Sequence, residues 1–285
     1  MTLAEDVPMS NFSVLASMGI NPVALITGQA QSSSFDFSIL YKGTSSATSG
    51  QVYTAGNASL ALKNAEEKEA QQLEQVAKQP DVQRDLERYK KVVASAETID
   101  DVLDDPTARK VFMTAVGLRD SVSYVGMAKK VLNSDITDPD SQAAKLTSIN
   151  RTWYDVAAKY NFNLVGASPL KISDSIEEIS NDYIAEKRLD MLDSQLPGLG
   201  SAVLFKTVAA SLDTPLKILG SAIGREVVTT ALNIPKQIAV QSVEAQMKAV
   251  SERMDPKKLS DAHFVDRLVQ RYLINLNGGT GGVTA

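Results

Sequence analysis

The sequence predicts an all-α protein built from a duplicated multi-helix unit. Three observations predict it. Leu86 to Ala94 is echoed at Ala202 to Ala210, and Arg109 to Leu118 at Arg225 to Ile234; both echoes lie 116 positions downstream. Two echoes at one offset indicate a repeated structural unit. Apolar residues also recur at three- and four-residue spacing along most of the chain. Residues 61 to 276 hold no sustained alternating pattern of the kind a half-buried strand needs.

Residues 1–57 read as a flexible Ser/Thr-rich head. Ser32 to Ser34, Thr44 to Ser46 and Thr48 to Gly50 are too polar to hold a core. One apolar island within it, Phe35 to Tyr41, offers Phe35, Phe37, Leu40 and Tyr41 either for packing on the body or for binding a partner. Residues 58–165 then form the first helical repeat. Ala61 to Lys78 is rich in good helix formers. Pro80 suits a first helical turn, and Val82, Leu86, Tyr89 and Val93 share the face of the helix it opens. Thr98 caps a short helix, Asp105-Pro106 opens the next, and Gly117 ends that one. Val122 to Leu132 continues the helical spacing. Asp138-Pro139 opens another helix, and Trp153, Val156, Ala157 and Tyr160 form an aromatic-bearing face beyond it.

Residues 166–277 form the second repeat with its connecting helix. Gly166 to Asp174 reads as a linker, and Ser175 with Glu178 has capping-box spacing for a long helix to Leu192. Pro197 to Gly200 breaks the chain. Asp213 caps Leu216 to Leu219, Pro235 starts another helix, and Asp255-Pro256 answers Asp138-Pro139. Residues 278–285 form a Gly-rich frayed tail. The two copies, hiding their apolar sides, form one elongated or pseudo-symmetric helical domain. The echoed pairs Tyr89/Phe205, Val92/Val208, Val102/Ile218, Val111/Val227, Ala115/Ala231 and Leu118/Ile234 are assigned to the core.

Composition narrows the functions. The net charge of -5 gives no broad attraction to nucleic acid, and the scattered lysines make no track for one. No run reaches the roughly 20 apolar residues of a membrane helix, so no integral membrane segment is expected. With no cysteine and one histidine, thiolate catalysis, disulfides and multi-histidine metal sites are excluded within one chain. His263 with Asp261 or Asp266 lacks a nucleophile elbow. The acids at Asp135, Asp138 and Asp140, and at Asp100, Asp101, Asp104 and Asp105, lack calcium-loop spacing and read as helix-start residues. No catalytic residue, cofactor site or metal site is expected. The echoed Arg109 and Arg225 read as carbonyl clamps or salt bridges, with partner binding as the functional alternative.

Pro80-x-Val82 with Leu86 and Tyr89, Ile99 to Leu103, Ala115 to Leu118, Lys130 to Leu132, Asp138 to Ser141, Lys145-Leu146 and Tyr154 to Phe162 occur in an order that resembles the domain of unknown function 1217 family. The resemblance is strongest over residues 74–162. Members are mostly alphaproteobacterial and often encoded among flagellar genes. The resemblance implies a helical protein associated with flagellar function. The repeated helical body, the flexible termini and the lack of an evident active site favour a non-enzymatic structural or assembly protein that binds other proteins, which in that setting are flagellar rod, hook, filament or export components, or copies of itself. Its place would be the bacterial cytoplasm, or the flagellum after leaderless export. The alternatives are a cytoplasmic regulatory protein-binding module and a hydrolase with an unrecognised carboxylate site.

Overall fold

The computed structural model describes residues 53–147 and 149–278. Residues 1–52 of the Ser/Thr-rich head, with Phe35, Phe37, Leu40 and Tyr41, and the tail from residue 279 lie outside the described residues, whereas the end of the head from Tyr53 is described and forms a 3-10 turn at Ala55–Asn57. Among the described residues all regular structure is helical, as the sequence predicts. No helix there is long and apolar enough to cross a membrane.

The α-helices run in the order α1 (Ala58–Glu67), α2 (Glu69–Ala77), α3 (Pro80–Ser95), α4 (Ile99–Asp104), α5 (Pro106–Ala115), α6 (Val125–Leu132), α7 (Gln142–Leu146), α8 (Thr152–Tyr160) and α9 (Phe162–Val165). They continue with α10 (Ser173–Gln195), α11 (Leu199–Val208), α12 (Pro215–Gly220), α13 (Ala222–Ala231), α14 (Val243–Ser251) and α15 (Ala262–Leu276). Short 3-10 turns join several of them. The helices group into two compact units, which are not consecutive segments. Over the described residues, the first unit is 71–187 and the second is 53–70 with 188–278.

The repeat in sequence is a repeat in structure. Moving α4 and α5 forward by 116 positions lands on the bounds of α12 and α13. Their starts use the same device. Thr98 Oγ1 accepts from Asp101 N-H at 3.4 Å, and Thr214 Oγ1 accepts from Lys217 N-H at 3.2 Å. Asp105 accepts from Thr107 and Ala108 N-H at 3.0 and 2.8 Å, and Ser221 accepts from Gly224 N-H at 3.1 Å. Each of these bonds satisfies an amide that the first helical turn leaves without a partner. The equivalent helices α5 and α13 also end alike. Leu118 N-H reaches Met113 O at 2.7 Å, and Ile234 N-H reaches Thr229 O at 2.8 Å.

The apolar faces follow from this register. Tyr89 and Phe205, Val102 and Ile218, Val111 and Val227, and Leu118 and Ile234 are buried in their respective units. Val92 and Val208 are only half-buried. The adjacent pair, Val93 and Ala209, takes the core position, because it falls four residues beyond Tyr89 and Phe205. Ala231 is buried, whereas Ala115 is half-buried. In the first unit Phe112, Tyr160 and Phe162 form an aromatic cluster, with Tyr160 stacked on Phe162 at 5.2 Å between centroids and Phe112 edge-on to Tyr160 at 5.8 Å.

Several helix starts differ from expectation. Asp138-Pro139 opens no helix; Asp138 accepts from Asp140 N-H at 2.8 Å in a turn, and Ser141 is the cap of α7. Asp213 does not cap α12, since Thr214 holds that place, and Asp213 pairs with Lys217 at 2.9 Å instead. Ser175 lies inside α10, which begins at Ser173, so its capping-box spacing is not used. Residues Ser168–Lys171 of the expected linker form a 3-10 turn. Pro235 precedes a 3-10 turn, Lys236–Val240, rather than an α-helix. At Asp138 and Asp213 a competing cap, Ser141 or Thr214, stands three positions and one position away.

In the second unit, α1 is fastened by cations. Arg188, 3% exposed, donates to Glu69 at 2.9 Å and to the carbonyl of Ala65 at 2.5 Å. Lys206 bridges Glu66 on α1 and Asp266 on α15. Tyr53 N-H donates to Gln195 O at 2.9 Å, and Asn64 donates to the Tyr53 hydroxyl at 2.8 Å.

Candidate functional site

The two echoed arginines occupy one structural setting. Arg109 Nη1 donates to the Leu103 carbonyl at 2.6 Å, and Arg225 Nη1 donates to the Leu219 carbonyl at 3.2 Å. Each arginine sits in the first turn of one helix and reaches the end of the preceding one. There the last carbonyls have no intrahelical partner and a cation is favourable. Carbonyl clamping was one of the readings the sequence offered for this pair.

The acids that suggest a metal site are spent on the backbone and on local ion pairs. Asp101 accepts from Glu97 and Thr98 N-H at 2.9 and 2.8 Å, which holds its carboxyl below the usual range. Asp100 accepts from Asn133 at 2.8 Å, and Asp104 pairs with Lys129 at 2.7 Å. Asp135 accepts from the Thr137 N-H and hydroxyl at 2.9 and 2.7 Å. Among the described residues no group of three or more His, Asp or Glu is placed to hold a metal ion.

His263 is exposed at the start of α15. Asp261 accepts from the backbone N-H of His263 and Phe264 at 2.9 and 3.3 Å, and Asp266 is paired with Lys206. Neither acid is bonded to the imidazole, so these residues make no Ser-His-Asp arrangement.

One constellation in the first unit was not read from the sequence. Glu178, Asp182 and Glu186 recur every four residues on α10, so their carboxylates share one face. The outer two are paired: Lys159 of α8 lies 2.7 Å from Glu178, and Arg119 lies 3.3 Å from Glu186. Burial pushes the middle carboxyl, Asp182, up to about 7; Glu178 and Glu186 add to the rise, and Lys159 opposes it. Tyr160 stands beside this row, 3% exposed, with no protein hydrogen-bond partner for its hydroxyl. Burial raises that phenol, and the charges of Glu178 and Asp182 raise it further. Behind it is Tyr89, fully buried and also without a protein partner for its hydroxyl. Such a carboxyl exchanges its proton near neutral pH. The four-residue acidic spacing was visible in the sequence; the burial that makes it matter was not.

Comparison with known proteins agrees with the fold. The crystal structure of protein AGR_C_984 from Agrobacterium tumefaciens is similar, with a TM-score of 0.62 and 21% identity, covering 82% of this chain and 99% of that one. No curated protein matches the chain. The family model described as protein of unknown function (DUF1217) matches residues 115–265, from the end of α5 in the first unit into α15 in the second. That span covers more than half of the sequence, and the chain belongs to the DUF1217 family.

Proposed function

We propose that this chain is a non-enzymatic structural or assembly protein that binds other proteins in the setting of the bacterial flagellum. The observation that carries the reading is how the repeat uses its polar side chains. Thr98 with Thr214, Asp105 with Ser221, and Arg109 with Arg225 close helix ends in matching ways. A duplicated unit that keeps its caps and clamps is built to present surface. Large apolar residues do reach that surface: Tyr124 is 60% exposed, Leu164 76% and Val240 90%. Burying such groups against a partner is favourable by about 25 cal/mol per Å² of apolar area. The flagellar setting rests on the family resemblance.

Affinity capture of the full chain from motile cells tests the reading. Rod, hook, filament or export components should be recovered, and deletion of the gene should impair motility. Recovery of none of them, with normal motility after deletion, would overturn the flagellar reading.

A further inference from the structure

We propose that Asp182, Glu178 and Tyr160 form a proton-responsive contact between α8 and α10, which holds while Asp182 carries its proton and loosens when that carboxyl is charged.

The arrangement on α10 is asymmetric. Of three carboxyls on one helical face, the outer two are paired with cations from other elements, Lys159 on α8 and Arg119 in the 3-10 turn after α5. Asp182 makes no hydrogen bond or ion pair with any described residue, and Lys159, the cation whose charge opposes the rise, is bonded to Glu178. A charge on Asp182 therefore stands four residues from Glu178 and from Glu186, a spacing at which like charges repel. The groups facing it from α8 are Lys159 and the buried hydroxyl of Tyr160. From α3, Tyr89 lies behind Tyr160, and Asp85 is already engaged by Lys110 at 2.5 Å and by the Tyr183 hydroxyl. No free cation among them is placed to meet a third carboxylate. Protonated, Asp182 removes the repulsion and becomes an O-H donor within a polar patch of carboxylate and phenol.

The sign follows from linkage. Asp182 is held protonated in the folded chain up to about 7, whereas an unfolded aspartate ionises near its ordinary value of 3.8. Between those values the folded chain binds the extra proton, so stability from this group falls as pH rises and levels off above the folded value. The chain offers its own reporter, because its single tryptophan, Trp153, is buried on α8.

The test is urea unfolding of the full chain followed by Trp153 fluorescence at pH 6 and pH 8. The opening equilibrium should rise about tenfold between them. Asp182→Asn, which has no proton to lose, should flatten the dependence. Glu178→Gln, which removes one neighbouring charge, should move the transition to lower pH, and it serves as the test should Asp182→Asn not fold. His263→Gln should leave the dependence intact, since that residue is exposed on α15 of the second unit. A wild-type response below twofold, a full response surviving in Asp182→Asn, or a transition unmoved by Glu178→Gln would each overturn the proposal.

Discussion

Gly117 and Asn233, 116 positions apart, both take the left-handed backbone conformation just past the ends of equivalent helices, with φ of +78° and +50°. Glycine adopts this region freely, and asparagine is among the few other residues that visit it. The two positions give one helix ending written in two residue types. Their own amides make the same bond, Gly117 N-H to Thr114 O and Asn233 N-H to Thr230 O, each 3.2 Å.

Exchanging the two types therefore has a predictable sign. Asn233→Gly should leave stability within a few tenths of a kcal/mol or raise it slightly, and Gly117→Ala should cost about 1 kcal/mol. A Cβ at Gly117 meets only the Thr152 methyl at 3.7 Å, so the cost is conformational and not steric. Urea midpoints of the two variants check this.

Gly166 is a stricter case. Its φ is +60°, and a Cβ there would lie 2.4 Å from the Glu97 carbonyl oxygen, a backbone atom that cannot swing aside. Gly166→Ala should cost more than about 2 kcal/mol. It should also expose to exchange the Ala167 amide, which donates to Glu97 O at 2.9 Å. Thermal unfolding and hydrogen exchange at Ala167 read the two effects.

Asp105 links a helix cap to pH. It holds the first amides of α5 and accepts from Arg88 at 2.6 and 2.8 Å. Burial works to raise its carboxyl, but the Ala108 amide and the Arg88 guanidinium together outweigh it, and the net direction is down. A lowered folded value means the contribution is present above the ordinary carboxylate range and is lost as pH falls through the folded value. Asp105→Ala should cost about 1 kcal/mol at neutral pH and make the acid limb of the stability profile shallower. An acid titration of unfolding midpoints, wild type against variant, measures both.

Arg188 is the buried fastening of α1. Arg188→Ala removes a cation from a site 3% exposed and leaves Glu69 and the Ala65 carbonyl without it, at about 2–3 kcal/mol. Arg188→Met, which keeps the packing and introduces no charge, should cost less. Faster hydrogen exchange across Ala58–Glu67 in the alanine variant would show that α1 is the element released.

Much of this was legible in the sequence because helix ends are local. Thr98, Asp105-Pro106 and Gly117 announce their roles within four residues, and the structure uses all three. Where two suitable caps stood close together, sequence had no way to rank them. Asp213 and Thr214 are both good caps, and only the 3.2 Å approach of Lys217 N-H to Thr214 decides. The echoed apolar pairs were legible through their shared offset, although Val92 and Val208 yielded the core to Val93 and Ala209 by one step of helix rotation. Asp182 was not legible as a special group. Its neighbours Glu178 and Glu186 are visible four residues away, but Tyr160 and Lys159 come from a different helix, and burial is a property of the fold.

In-cell crosslinking of the full chain, with mass-spectrometric identification of what it touches, tests the central claim most directly. The account predicts crosslinks to flagellar structural or export components, concentrated on exposed apolar positions such as Tyr124, Leu164 and Val240. A chain that crosslinks to no protein other than general chaperones, and that turns over a small molecule when purified, would contradict it.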